Sequence, residues 1–112
     1  MIEQSLDADK AEDVRTIDLR GQTPLADYMI VATGTSSRQV GALADKLSQR
    51  LKALGLKDIY IEGKEQCNWV IVDAGDIVVH LFRPEVREYY NIEKMWQPHP
   101  QGQDITGGAS VV

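Results

Sequence analysis

The stretch Tyr28-Met29-Ile30-Val31-Ala32-Thr33-Gly34-Thr35-Ser36-Ser37-Arg38-Gln39-Val40-Gly41-Ala42-Leu43-Ala44-Asp45-Lys46-Leu47-Ser48-Gln49-Arg50-Leu51-Lys52-Ala53-Leu54-Gly55 decides the fold. Tyr28 to Thr33 is a near-continuous apolar run, as a strand buried on both faces requires. Thr35, Ser36 and Ser37 are then all N-cap types, and Ser36 with Gln39 has the spacing of a capping box. Val40, Leu43, Ala44, Leu47, Leu51 and Leu54 follow at i, i+3, i+4, i+7, i+11 and i+14, which is one apolar stripe of a helix. Gly55 sits where a left-handed residue ends such a helix, with Arg50 and Lys52 near its negative end. A buried strand leading into an amphipathic helix places the chain among α/β folds.

Working outward, Ile2 and Leu6 stand at helical spacing and allow a short amphipathic N-terminal helix. Val14 to Leu19 reads as a strand, and residues 21–24 supply turn chemistry. Downstream, Asp58 to Glu62 alternates Ile59 and Ile61 against Tyr60 and Glu62, the pattern of a half-exposed strand. Trp69 to Asp73 and Ile77 to Phe82 are denser in Val and Ile, and the Asp73-Ala74-Gly75-Asp76 turn between them predicts a hairpin. Pro84 opens a second helix, expected to run unbroken from Glu85 to about Trp96. The order predicts a mixed five-stranded sheet with flanking helices. A right-handed crossover would set the strand near residue 60 parallel to the one near residue 30. Residues 1–96 form one domain, and residues 97–112, with little apolar periodicity, are expected to be a disordered tail.

Composition narrows the function. A chain of 112 residues, 43% hydrophobic and 26% charged, is that of a globular domain. No apolar run reaches the roughly 20 residues that span a bilayer. The acidic start lacks the features of a secretory or transit signal, and the single cysteine, Cys67, fits a reducing cytoplasm. A net charge of −5 argues against reading a phosphate backbone and favours a basic protein surface.

The hairpin is informative because both its faces are apolar. Trp69, Ile71 and Asp73 share one face, with Val70 and Val72 on the other; Ile77, Val79 and Leu81 likewise oppose Val78, His80 and Phe82. One long and one short helix leave part of a five-stranded sheet uncovered. A patch of about 400 Å² represents about 10 kcal/mol of apolar burial, before the costs of association, at roughly 25 cal/mol/Å². Such a patch points to a partner, the alternative being that the short N-terminal segment and the last helix cover the second face.

Three motifs in order carry a resemblance over residues 11–96. They are Ala26-Asp27-Tyr28-Met29-Ile30-Val31-Ala32-Thr33-Gly34-Thr35-Ser36-Ser37-Arg38-Gln39-Val40, Glu62-Gly63 with Trp69 to Phe82, and Arg87-Glu88-Tyr89-Tyr90-Asn91-Ile92-Glu93-Lys94-Met95-Trp96. Together they resemble the ribosomal silencing factors, the Iojap-like family. The resemblance implies a nucleotidyltransferase-like sheet and no catalysis or cofactor. It also implies binding to large-subunit ribosomal protein L14 (uL14), which blocks subunit joining and represses translation under nutrient limitation, and a homodimer when free. Organelle relatives act in large-subunit assembly.

The candidate partner-binding residues are Trp69, Asp73, Asp76, His80, Phe82, Arg87, Tyr90 and Glu93. Trp69 can anchor an interface or close the core edge. For Phe82, Tyr90 and Trp96 the balance falls the other way, toward core packing. His80 has no companion at metal-ligand spacing, and a hydrogen-bonded structural histidine near the partner surface fits it better than a catalytic base. Asp73 and Asp76 can steer a basic partner or simply build their turn. Arg87 and Glu93 suit either a contact or a solvated helix face. Cys67 lacks the basic surroundings of a reactive thiolate. The rival reading is a nucleotidyltransferase-like enzyme. Gly34-Thr35-Ser36-Ser37 enters a helix N-terminus, an anion site in principle, yet Asp58 and Glu62 are four apart and cannot hold magnesium as adjacent carboxylates do.

Overall fold

The computed structural model describes residues 2–96, so the tail from Gln97 onward lies outside the described residues. The elements are α1 (Ile2–Ala8), β1 (Glu12–Asp18), β2 (Tyr28–Thr33), α2 (Ser37–Ala53), β3 (Tyr60–Glu62), β4 (Trp69–Asp73), β5 (Ile77–Phe82), α3 (Pro84–Tyr90) and α4 (Glu93–Trp96). Five strands form one mixed sheet in the order β1-β2-β5-β4-β3. β2 and β5 are parallel, while the other neighbouring pairs are antiparallel.

β3 does run in the same direction as β2, but β5 and β4 stand between them. Burial explains the arrangement. β2, β4 and β5 carry apolar side chains on both faces and need neighbours on both edges. β3 leaves Tyr60 66% exposed and tolerates the sheet edge. The first strand begins earlier than its apolar residues suggest, at Glu12. A bulge at Asp13, whose φ is +48°, sets three steps of β1 from Glu12 to Arg15 against two of β2.

α1 and α2 pack on one face of the sheet. Ile2, Leu6, Val40, Leu43, Leu47 and Leu51 meet Ile30, Ala32, Val70, Val72, Val79 and Leu81 there. Ser36 caps α2 by accepting the Gln39 N–H at 3.1 Å. The Gln39 side chain accepts from Thr35 N at 2.6 Å rather than closing a capping box on Ser36. Leu54, the last member of the predicted stripe, is 65% exposed because the helix ends there and Gly55 turns with φ +98°.

The other face is covered by a smaller core of Ile17, Leu19, Ala26, Met29, Val31 and Phe82, with Val86 and Ile92 packed against it. The predicted long C-terminal helix is broken. Asn91 takes a left-handed conformation (φ 46°, ψ 49°) and its N–H closes α3 on Arg87 O at 2.8 Å. Asparagine tolerates this conformation better than most residues. The break turns Ile92 into the second core.

Gly63, just after β3, has φ +89°, and a Cβ there would lie 2.1 Å from the Trp69 carbonyl oxygen. Gly75, in the hairpin turn, has φ +91° but open space around its missing Cβ. Gly63→Ala should therefore destabilise the chain by about 3 kcal/mol and Gly75→Ala by about 1 kcal/mol. Denaturant midpoints of the two variants check this, and equal losses would refute the close approach at Gly63.

Candidate functional site

The second face is only partly closed, and its open part is aromatic. Antiparallel pairing sets Trp69 opposite Phe82 and Ile71 opposite His80, all pointing to the same side. The Trp69 ring lies 4.9 Å from Phe82 and 5.9 Å from His80, centroid to centroid. Only Arg83 separates the end of β5 from Pro84 at the start of α3, so the helix folds back across this end of the sheet. That brings Tyr90 to 4.9 Å from Trp69, with Tyr89 edge-on to Tyr90. Asn68 secures the corner: its backbone carbonyl accepts Arg83 N at 3.0 Å and its side chain accepts Arg83 Nη1 at 3.2 Å.

Within this cluster the exposures differ. Phe82 is fully buried, Trp69, Ile71, Val78 and His80 are half-buried, and Tyr90 and Tyr89 are 53% and 80% exposed. Phe82 is therefore a support beneath the face, the core role of the two that the sequence allows it, and not an exposed candidate. Tyr90 packs against Trp69 with its ring tilted 42° yet stays at the surface. Trp96 closes α4, and its side chain is outside the described residues.

Trp69 Nε1–H donates to His80 Nδ1 at 3.0 Å. Burial lowers the His80 pKa from 6.5 to about 4. The indole N–H acts in the same direction, since a proton on Nδ1 would set two donors face to face. The unfolded chain takes up this proton as pH falls through about 6.5, the folded chain only near 4. Stability is therefore full above the higher value and lost as pH drops toward the lower one. We expect a loss of about 1–2 kcal/mol between pH 7.5 and pH 5 from this group, after allowance for partial exposure. Urea unfolding at both pH values checks it; the same pH difference in His80→Phe would refute the assignment.

The remaining candidates lie elsewhere. Asp73 accepts from Gly75 N at 2.9 Å and so builds the turn. Asp76 is exposed, and its carbonyl accepts from Asp27 N and Tyr28 N. Four residues of strand put Asp73 about 13 Å from Trp69, and Asp76 lies beyond it. Asp76 instead borders an apolar groove of about 600 Å³ on the α1–α2 side, lined by Ile2, Tyr28, Leu51, Leu54, Leu56 and Ile77. Arg87 and Glu93 are buried rather than presented to a partner. Arg87 Nε and Nη2 donate to Glu93 Oε1 and Oε2 at 2.9 and 3.1 Å, and Nη1 donates to Thr33 Oγ1 at 2.7 Å and Asp13 O at 2.8 Å. Residue-by-residue reading missed Tyr89 and Ile71 on the open face; the strand alternation already carried the signal for Ile71.

The Gly34–Ser37 turn is filled by its own chain. Gln39 Oε1 takes the Thr35 N–H and hydroxyl, and Ser36 takes the Gln39 N–H. Those donors are not free for a phosphate. Glu62 lies on β3, whereas Asp58 precedes the strand. Among the described residues no three His, Cys, Asp or Glu side chains gather as metal ligands. Cys67 holds its loop through an Sγ contact to Lys64 O at 3.1 Å.

The fold is a mixed-sheet α/β domain with a partly exposed aromatic cluster on one face. Comparison with known proteins then gives the family. A family model described as ribosomal silencing factor during starvation matches residues 1–110. A ribosomal silencing factor of Zymomonas mobilis is 52% identical over 96 residues, covering 86% of this chain and 72% of that protein. One from Haemophilus influenzae is 42% identical over 93 residues, covering 83% and 91% respectively. A crystal structure of a Chromobacterium violaceum protein, 44% identical, superposes with a TM-score of 0.83 over 96% of this chain and 89% of that one. The chain belongs to the ribosomal silencing factor family.

Proposed function

We propose that this chain represses translation by docking on ribosomal protein L14 (uL14) of the large subunit through the Trp69–His80–Tyr90 face, sterically blocking the small subunit. The half-open aromatic cluster is the observation that carries the reading. Rigid aromatic side chains seated on a buried support are the groups from which interface energy is usually drawn. The charge pattern agrees with a basic partner. The strand residues of β3, β4 and β5 on this face include Glu62 and Asp73 and no lysine or arginine. The whole chain carries a net charge of −5. Occupying a surface requires no bond chemistry and no cofactor.

Purified protein mixed with isolated large subunits should sediment with them through a cushion at low salt. Added before small subunits, it should reduce the joined-particle peak in proportion to occupancy. Protein that stays in the supernatant at micromolar concentration would overturn the docking. Co-sedimentation without effect on joining would overturn the steric block.

A further inference from the structure

We propose that His80 offers the docking partner a fixed Nε2–H donor, that Trp69 is the positioning residue fixing it, and that the partner protein meets it with a neutral oxygen acceptor. The inference rests on the docking reading above and adds the chemistry at its centre. The indole Nε1 can only donate, so His80 Nδ1, 3.0 Å away, must be the acceptor. A neutral imidazole carries one N–H, which is therefore on Nε2. That atom has no hydrogen-bond partner among the described residues and is not among their fully buried unpaired atoms.

The lock has two consequences for recognition. His80 cannot turn acceptor without giving up the Trp69 bond, so a lysine or arginine of the partner placed over this ring is rejected. The ring faces away from the helix-covered core on the same side as Asp73 and Glu62, which disfavour a carboxylate above it. A neutral oxygen remains. A partner that covered the N–H without one would leave it dry and unpaired, at a cost larger than the hydrogen bond itself contributes. The fitting surface is thus basic at its rim and presents a neutral oxygen acceptor at its centre.

Two measurements test this. In protein labelled with ¹⁵N at histidine, long-range proton–nitrogen correlation should show His80 wholly as the Nε2–H tautomer. Trp69→Phe, which keeps a ring but loses the N–H, should return it toward a mixture. Isolated large subunits then probe the donor. His80→Phe should bind about 30-fold more weakly than the native chain, and His80→Gln, whose amide restores a donor near Nε2, about tenfold more tightly than His80→Phe. Unchanged thermal unfolding above pH 7 would show that the variants remain folded. An Nδ1–H tautomer, or His80→Phe binding like native protein, overturns this inference alone. Failure of the native chain to bind large subunits overturns the docking reading as well, while the tautomer result still stands for the free protein.

Discussion

Arg87→Met is expected to lower the unfolding free energy by about 4 kcal/mol. Both partners of the Arg87–Glu93 pair are nearly sealed, at 8% and 9% exposure. Removing the guanidinium leaves a carboxylate in the interior with Arg15, 3.8 Å away, as its remaining counter-charge among the described residues. It also orphans Thr33 Oγ1 and the Asp13 carbonyl, which Arg87 Nη1 bridges. Adding Glu93→Leu removes the stranded charge but not the orphaned oxygens. The double variant should therefore recover about half of the loss; with Glu93→Leu alone costing about 2 kcal/mol, the coupling is about 4 kcal/mol. Urea unfolding of the four chains of the cycle measures this. Additive losses, or single-variant costs under about 1 kcal/mol, would show that the pair is not the latch described.

The same pair shows where sequence reading reaches its limit. In an unbroken helix, residues six apart sit about 120° from each other and do not meet. Arg87 and Glu93 therefore read as independent surface residues. Only the left-handed Asn91 swings Glu93 back under the guanidinium, and a lone Asn inside a helix-compatible stretch is a weak signal. α2 was legible because its stripe, its cap at Ser36 and Gly55 all agree. β2, β4 and β5 were legible from apolar density. Their order was not, because pairing β5 with β2 is a non-local choice that depends on which strands need two neighbours. The Trp69–His80 bond was equally hidden, since it depends on the diagonal offset between two strands, fixed only once the hairpin register is known. Phe82 illustrates a different confusion. Its aromatic character fits an anchor and a core residue equally well, and its opposition to Trp69 under α3 decides for the core.

Docking should respond to Trp69 and to Asp76 in different ways, because the fold separates them. Trp69→Ala removes the centre of the aromatic cluster, the acceptor lock on His80 and the seat of Tyr90. We expect affinity for large subunits to fall by about 100-fold, mostly through faster dissociation, as for a desolvated aromatic anchor. Asp76 lies at the far turn and borders the opposite groove. Asp76→Lys should slow association by no more than about tenfold, and the difference should vanish as salt rises, because an exposed charge acts by steering. Tyr89→Ala separates contact from folding: at 80% exposure it leaves stability unchanged, so any loss it causes is lost contact. Association and dissociation rates at two salt concentrations resolve the three cases. If Asp76→Lys dissociates faster at high salt while Trp69→Ala binds normally, the partner sits on the groove side of the sheet, and the aromatic face is only a second core left half closed.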